Sequence, residues 1–104
     1  MPKLAFQMKL FPGMEAEYKK RHDAIWPELV DLLHVHGISD YSIFLNQKEG
    51  SLFGVLHCTD PIKMDELPKH PVMKKWWTYM KDIMESNPDH SPVSIPLHQV
   101  FYLP

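Results

Sequence analysis

The transition that decides the fold lies near the start of the chain, where residues 3–10 read KLAFQMKL, residues 11–13 read FPG and residues 14–37 read MEAEYKKRHDAIWPELVDLLHVHG. In the first run, apolar side chains occupy alternate positions, and this period of two is typical of a half-buried β-strand. In the third run, apolar, aromatic and histidine side chains recur every three or four positions, which predicts one face of a helix. Gly37 is a suitable residue to end that helix.

Pro27 lies inside the predicted helix. Proline has no amide hydrogen to donate and pushes the residue before it, here Trp26, away from helical geometry. We therefore expect a kink or a break just after His22.

The rest of the chain completes an alternating pattern of strands and helices. Two strands joined by a hairpin turn are followed by a helical stretch that three prolines interrupt, a proline-rich loop and a last strand. In chain order these are Asp40–Asn46, the turn at residues 47–50, Ser51–Thr59, a helical stretch from Asp60 that is best defined over residues 72–84, the loop at residues 86–96, and a strand over residues 97–103. The order strand, helix, strand, strand, helix, strand is the split βαβ, or ferredoxin-like, arrangement. We expect one α+β domain over residues 1–104, with both helices on one face of an antiparallel sheet.

Composition and charge exclude several classes of protein. The chain has 104 residues, 44% of them hydrophobic, so it is not a disordered chain. It has no apolar run near the ~20 residues of a membrane span, and no signal-peptide core. The net charge is −2 and Arg21 is the only arginine, which argues against a nucleic-acid partner. Cys58 is the only cysteine, so no internal disulfide can form, and we expect a soluble protein of the cytoplasm.

The second face of the predicted sheet is partly apolar. Phe44 points to the opposite face of its strand from its two apolar neighbours. In the hairpin partner, Phe53 and Val55 are expected on that same second face of the sheet. An apolar face without cover favours association, so we predict a homodimer formed through the sheet.

Tyr18 and His22 are the first candidates for chemistry. They lie one helical turn apart on the stripe expected to face the sheet. The spacing is also compatible with a hydrogen-bonded core histidine and a tyrosine that reaches the surface with its hydroxyl. The break at Pro27 favours a cleft, since irregular backbone leaves room beside the histidine.

Tyr41 and the pair Trp76–Trp77 are further candidates. Tyr41 shares the parity of Ile43 and should point towards the helices near the end of its strand, although an ordinary half-buried strand tyrosine would do the same. The two tryptophans are about 100° apart around their helix, so one can anchor the core while the other lines an edge. Indole faces bind sugar rings, flat heterocycles or a partner protein.

Signals for other chemistry are weak. His34 and His36 are two positions apart and so point to different sides of a helix, whereas metal ligands need spacings of three or four. The sequence has no glycine-rich phosphate loop and no nucleophile motif. We therefore expect neither a metal nor a cofactor. A histidine can exchange protons near neutral pH without help, which suits an acid–base isomerisation of a small neutral ligand.

Several longer strings resemble the L-rhamnose mutarotase family. They are RHDAIWPEL at residues 21–29, YSIFL at residues 41–45, WWTYMKDIM at residues 76–84, NPDHSPVS at residues 87–94 and VFYLP at residues 100–104. The resemblance runs nearly from end to end. It implies a ferredoxin-like domain that pairs as a dimeric α/β barrel. It also implies an isomerase that interconverts the α and β anomers of L-rhamnose by general acid–base ring opening and closure, with a monosaccharide as its substrate.

The resemblance also implies a role for each candidate residue. His22 takes the place of the catalytic proton donor, and the substrate-binding residues fall on Tyr18, Tyr41, Trp76 and Trp77. On this interpretation the tyrosines orient sugar hydroxyls, and either could relay the second proton.

The chain departs from the family in two places. Pro61, Pro68 and Pro71 interrupt a helix that is more continuous in the family, and His90 stands where the family often has asparagine. These departures affect one wall of the pocket, and so they leave the sugar selectivity open.

Two other functions fit the predicted fold. Dimeric ferredoxin-like barrels include small monooxygenases and haem-degrading enzymes, and a fold alone does not separate these from an isomerase. A sugar-sensing module that binds without turnover would use the same cleft.

Overall fold

The computed structural model describes residues 3–104 and contains one four-stranded antiparallel sheet with the strand order β2-β3-β1-β4. The strands are β1 (Lys3–Lys9), β2 (Ile38–Asn46), β3 (Ser51–Cys58) and β4 (Ile95–Leu97). The helices are α1 (Glu15–Asp23), α2 (Pro27–Val35), α3 (Pro61–Met64) and α4 (Pro71–Met80), with a short 3-10 helix at Leu67–Lys69. This is the predicted ferredoxin-like α+β fold.

Prolines divide the helical layer into short pieces. The helix predicted over residues 14–36 is two helices, because α1 ends at Asp23 and Trp26 has an extended backbone with φ −65° and ψ 131°. The predicted break is therefore confirmed. Pro27, Pro61 and Pro71 are each the first residue of a helix. The first amide of a helix has no partner within it, so proline is tolerated there.

The last strand is shorter than predicted. We expected a strand over residues 97–103, whereas β4 covers only Ile95–Leu97. Because Leu97 lies opposite Ala5, the register would place residue 99 opposite Lys3, where β1 begins. β4 ends two residues before that position, and Val100 is 94% exposed.

The inner face of the sheet packs against the helices and forms the core with them. The fully buried side chains there include Leu10, Leu29, Leu52 and Leu56. The inner face also contains a close contact between Phe6 and Gly54, where a β-carbon on the glycine would lie 2.4 Å from Cζ of Phe6. The glycine therefore makes room for the aromatic ring.

The outer face of the sheet carries two cross-strand rows, which follow from the strand register. One row contains Phe44, Phe53, Gln7 and Ile95, and the other contains Ser42, Val55, Ala5 and Leu97. Most of these side chains are apolar, and Phe44 is 62% exposed. The partly apolar second face expected from the sequence is therefore present.

Candidate active site

A cleft of about 1380 Å³ lies between the inner face of the sheet and the helices. The five predicted site residues all line it, and they are Tyr18, His22, Tyr41, Trp76 and Trp77. Prolines divide the helical layer beside this cleft into short helices.

His22 lies between two aromatic side chains. Its ring stacks on that of Tyr18, with centroids 4.3 Å apart and an angle of 28° between the planes. Trp76 meets the same ring edge-on, with a centroid distance of 5.4 Å and an angle of 90°. Tyr18 and Trp76 are both buried, so the imidazole is held between rigid neighbours.

The surroundings of His22 determine its protonation. Burial lowers the pKa of the ring below its usual value of 6.5, and this effect outweighs the hydrogen bond to the Tyr18 backbone and the nearby charge of Asp23, which both raise the pKa. His22 is therefore neutral at pH 7. Its Nδ1–H donates to the carbonyl oxygen of Tyr18 over 3.0 Å, which leaves the lone pair on Nε2.

The Nε2 atom of His22 is available to a ligand. Among the described residues it has no hydrogen-bond partner, and no buried side-chain nitrogen or oxygen there lacks one, so Nε2 is accessible to solvent. Since His22 lines the cleft, Nε2 is the nitrogen that can exchange a proton with a molecule bound there.

Tyr41 reaches the cleft through a β-bulge. The register of β2 against β3 shifts between Ser39 and Ser42, and Asp40 within this bulge has a left-handed φ of 50°. Ile38 and Tyr41 are three positions apart, and yet both line the cleft, which regular strand alternation would not allow. The bulge thus keeps Ile38 in the core and directs Tyr41 into the site.

Packing and burial determine the protonation state of Tyr18 and Tyr41. Phe6 meets Tyr41 edge-on at 6.1 Å, and Tyr41 remains 39% exposed at the edge of the cleft. Burial raises the pKa of both Tyr18 and Tyr41 above the usual value of 10, and the proximity of Tyr41 adds to the effect on Tyr18. Both hydroxyls stay protonated at neutral pH and can donate or accept hydrogen bonds.

The two tryptophans divide as the helical spacing predicts. Trp76 is 6% exposed and belongs to the core, whereas Trp77 is half-buried on the cleft wall. Together they give the cleft an aromatic surface beside His22.

Sequence reasoning missed the groups that support the site from behind. Trp26 meets Trp76 edge-on at 5.1 Å and stacks on Tyr79 at 5.8 Å. Arg21 forms an ion pair with Asp82 that was not foreseen. Only its pairing with Glu17, four residues away on the same helix, could have been recognised from the sequence.

Two features are absent from residues 3–104. No three histidine, cysteine, aspartate or glutamate side chains converge to form a group that could hold a metal ion. No helix in this part of the chain has the length and apolar character needed to cross a bilayer.

The fold and the site together define a ferredoxin-like domain with a neutral histidine in an aromatic cleft. A family model described as L-rhamnose mutarotase matches residues 3–103. An L-rhamnose mutarotase of Jannaschia sp. (strain CCS1) is 60% identical over 104 residues, which are 100% of both chains. The chain belongs to the L-rhamnose mutarotase family, and it is therefore a carbohydrate isomerase that interconverts anomers.

A solved structure of an L-rhamnose mutarotase agrees with this assignment, and a second solved structure shares the fold. The crystal structure of L-rhamnose mutarotase FA22100 from Formosa agariphila superposes with a TM-score of 0.94 at 46% identity and covers 100% of both chains. The crystal structure of an antibiotic biosynthesis monooxygenase superposes with a TM-score of 0.52 at 14% identity, over 96% of this chain and 99% of the other. At that identity the second match shows a shared fold alone.

Proposed function

We propose that His22 carries the proton transfers by which this isomerase opens and recloses the ring of L-rhamnose. The observation that supports this most strongly is the neutral imidazole, held between Tyr18 and Trp76 with its Nε2 lone pair accessible from the cleft. The family supplies the reaction and the sugar, and the geometry around His22 supports the mechanism proposed below.

The reaction needs one proton removed and one delivered. In the cyclic hemiacetal, Nε2 of His22 takes the proton from the anomeric hydroxyl O1. The C1–O1 bond then becomes a carbonyl as the C1–O5 bond breaks, and the imidazolium returns the proton to the ring oxygen O5. The open aldehyde turns about its C1–C2 bond, and the same steps in reverse close the ring on the other face of the carbonyl.

A single imidazole can serve both oxygens, because O1 and O5 are bonded to the same carbon. His22 begins as a base and becomes the proton donor once it carries the proton from O1. His22 thus acts as a proton donor in the second half of ring opening. The neutral form of His22 starts the reaction.

In this proposal the tyrosines bind and do not remove protons. A phenol whose pKa is raised is a poor base at neutral pH, so Tyr18 and Tyr41 hold sugar hydroxyls by hydrogen bonds. Trp76 and Trp77 pack against the apolar C–H face of the sugar.

The required rate enhancement is modest. Mutarotation proceeds in water without an enzyme, and a positioned general acid–base group typically contributes ~10²–10⁴-fold. A histidine in a cleft is adequate for that task.

Exchange NMR between sugar anomers tests the proposed substrate. We expect the wild-type protein to accelerate the interconversion of α- and β-L-rhamnose above the buffer rate, and L-fucose and D-glucose in the same assay measure its selectivity. The boiled protein is the control. An L-rhamnose exchange rate that stays at the buffer value, with binding still saturable, would favour a sensing module. A Soret shift on addition of haem would favour a haem-degrading enzyme.

We also propose that a second copy of the chain covers the outer face of the sheet. Phe44, Phe53, Val55, Ile95 and Leu97 form the apolar part of the two cross-strand rows on that face. A continuous apolar surface of this kind favours self-association.

Sedimentation tests the dimer. Phe44→Glu replaces the most exposed of these apolar side chains with a charge and should yield monomers at micromolar concentration. Val35→Glu is a matched control, because Val35 is an apolar residue on α2, 70% exposed and away from that face. A wild-type protein that sediments as a monomer at micromolar concentration would contradict the proposal.

We place the enzyme in the cytoplasm, where a lone buried thiol such as Cys58 remains reduced. Fractionation of cells that express the protein tests this location.

A further inference from the structure

Arg21 uses its guanidinium group to join two helices. Its Nε donates to Glu17 over 2.7 Å, and Nη1 and Nη2 donate to the two carboxylate oxygens of Asp82 over 2.8 and 3.2 Å. Nη1 also donates to the carbonyl oxygen of Tyr79 over 2.7 Å, and the guanidinium lies 4.4 Å from the centre of the Tyr79 ring. The side chain is only 10% exposed.

These contacts connect the element that carries the proposed base to the element that packs against it. Arg21 precedes His22 directly on α1, while Tyr79 is near the end of α4 and Asp82 follows it. Trp76, which meets His22 edge-on, lies one turn before Tyr79 on the same helix. The position of His22 relative to Trp76 therefore depends on how α1 is attached to α4.

Helix α1 has little else to fix its position. Tyr18 is its only buried residue. The helix has nine residues, and the backbone leaves the helical conformation directly after it. The other ion pair on α1, between Lys19 and Asp23, is formed by side chains that are 77% and 64% exposed, and it joins α1 only to itself. The guanidinium of Arg21 is thus the main polar attachment of α1 to the rest of the site.

Arg21 is not in a position to bind the substrate. It does not line the cleft, and its Nε, Nη1 and Nη2 atoms already donate to Glu17, Tyr79 and Asp82. We infer that Arg21 and Asp82 are positioning residues, which clamp α1 to the end of α4 and so hold the His22 ring against Trp76 in the orientation that proton transfer needs. This inference rests on the proposed role of His22.

Three variants test the clamp. Arg21→Lys keeps the positive charge but loses the planar fork that binds both carboxylate oxygens. Asp82→Asn removes the partner charge, and because the Asp82 side chain is 63% exposed, this variant should fold even if the arginine variant does not. Lys20→Ala is the matched control, since Lys20 is an exposed cation on the same helix and does not line the cleft.

For each variant, three quantities are measured: kcat and KM for L-rhamnose anomer exchange, the thermal midpoint, and the titration of the His22 ring by NMR. A misplaced base costs turnover more than binding, so we expect kcat to fall about tenfold or more in R21K and D82N with KM within about twofold of the wild type. In R21K and D82N we also expect the pKa of the His22 ring to rise towards its usual value, because water then reaches the ring. K20A should match the wild type in every respect.

Two results would overturn the inference. One is an unchanged kcat per folded molecule in both R21K and D82N, even with a lower thermal midpoint, since that is the behaviour of a structural ion pair. The other is a lower kcat with an unmoved His22 titration. The NMR titration needs no substrate, so it tests the clamp even if His22→Ala is fully active and the proposed function fails.

Discussion

The Nδ1 nitrogen of His22 lies 3.0 Å from the carbonyl oxygen of Tyr18, one turn earlier on α1. A carbonyl oxygen only accepts hydrogen bonds, so the proton of the neutral ring is on Nδ1 and the lone pair is on Nε2. Burial favours this neutral form by lowering the pKa of the ring. The neutral ring therefore presents the Nε2 lone pair to the cleft, and the predictions for pH below follow from that state.

The first prediction concerns the pH profile of kcat/KM. We expect activity to be constant near neutral pH and to fall on the acid side with a midpoint below 6.5, because protonation of Nε2 removes the base that starts the reaction. Exchange NMR from pH 4.5 to 8.5, corrected for catalysis by the buffer, measures this. Activity that increases as the pH falls through 6.5 would mean that the protonated ring begins the reaction.

The same group makes stability depend on pH. In the unfolded chain His22 takes up a proton near pH 6.5, while the folded ring resists it, so the free energy of unfolding should fall as the pH decreases below about 6.5. The loss approaches ~1.4 kcal/mol for each pH unit between the two pKa values. Urea titrations at pH 7 and pH 5 should show a larger loss for the wild type than for His22→Gln. Equal losses would contradict the burial of the ring.

The tyrosines should contribute to binding and not to the pH profile. Removal of one hydroxyl hydrogen bond costs about 1 kcal/mol, so Tyr18→Phe and Tyr41→Phe should each raise KM by roughly fivefold. Because the pKa of both phenols lies above 10, neither variant should change the profile between pH 7 and pH 9. If the wild-type pH profile changed between pH 7 and pH 9, and a tyrosine variant lost both turnover and that change, the tyrosine would be the base.

Gly54 should be sensitive to the smallest added side chain. In Gly54→Ala the new β-carbon would lie 2.4 Å from Cζ of Phe6, so the ring must move, and Phe6 packs edge-on against Tyr41. We expect a loss of about 1–3 kcal/mol in the free energy of unfolding, together with a higher KM.

The double variant Gly54→Ala with Phe6→Leu is the control for that packing. A smaller side chain at position 6 relieves the overlap, and stability should be partly restored relative to Gly54→Ala. A double variant less stable than either single variant would show that the two residues do not share this contact.

Local patterns were enough to predict most of the fold. The alternation in β1 and the helical period after Pro12 depend on neighbours in sequence, as does the break that Pro27 imposes, and all three are present. The end of the last strand was not predictable from residues 97–103, because it depends on pairing with β1, which is distant in sequence.

The candidate site was predictable to the same extent. Tyr18 and His22 follow from a spacing of four on one helix, and Tyr41 follows from strand parity, although the bulge at Asp40 that keeps Ile38 in the core is not visible in the sequence. The Arg21–Asp82 pair joins residues separated by 61 positions, and no local pattern indicates such a contact.

Anomer-exchange NMR on L-rhamnose with the wild type, His22→Ala and His22→Gln tests the central claim most directly. The claim predicts that both variants lose about 10²–10⁴-fold of the enzymatic rate. Circular dichroism and the thermal midpoint confirm that the variants are folded. Folded His22 variants that exchange the anomers at the wild-type rate would contradict the assignment of the proton transfers to His22.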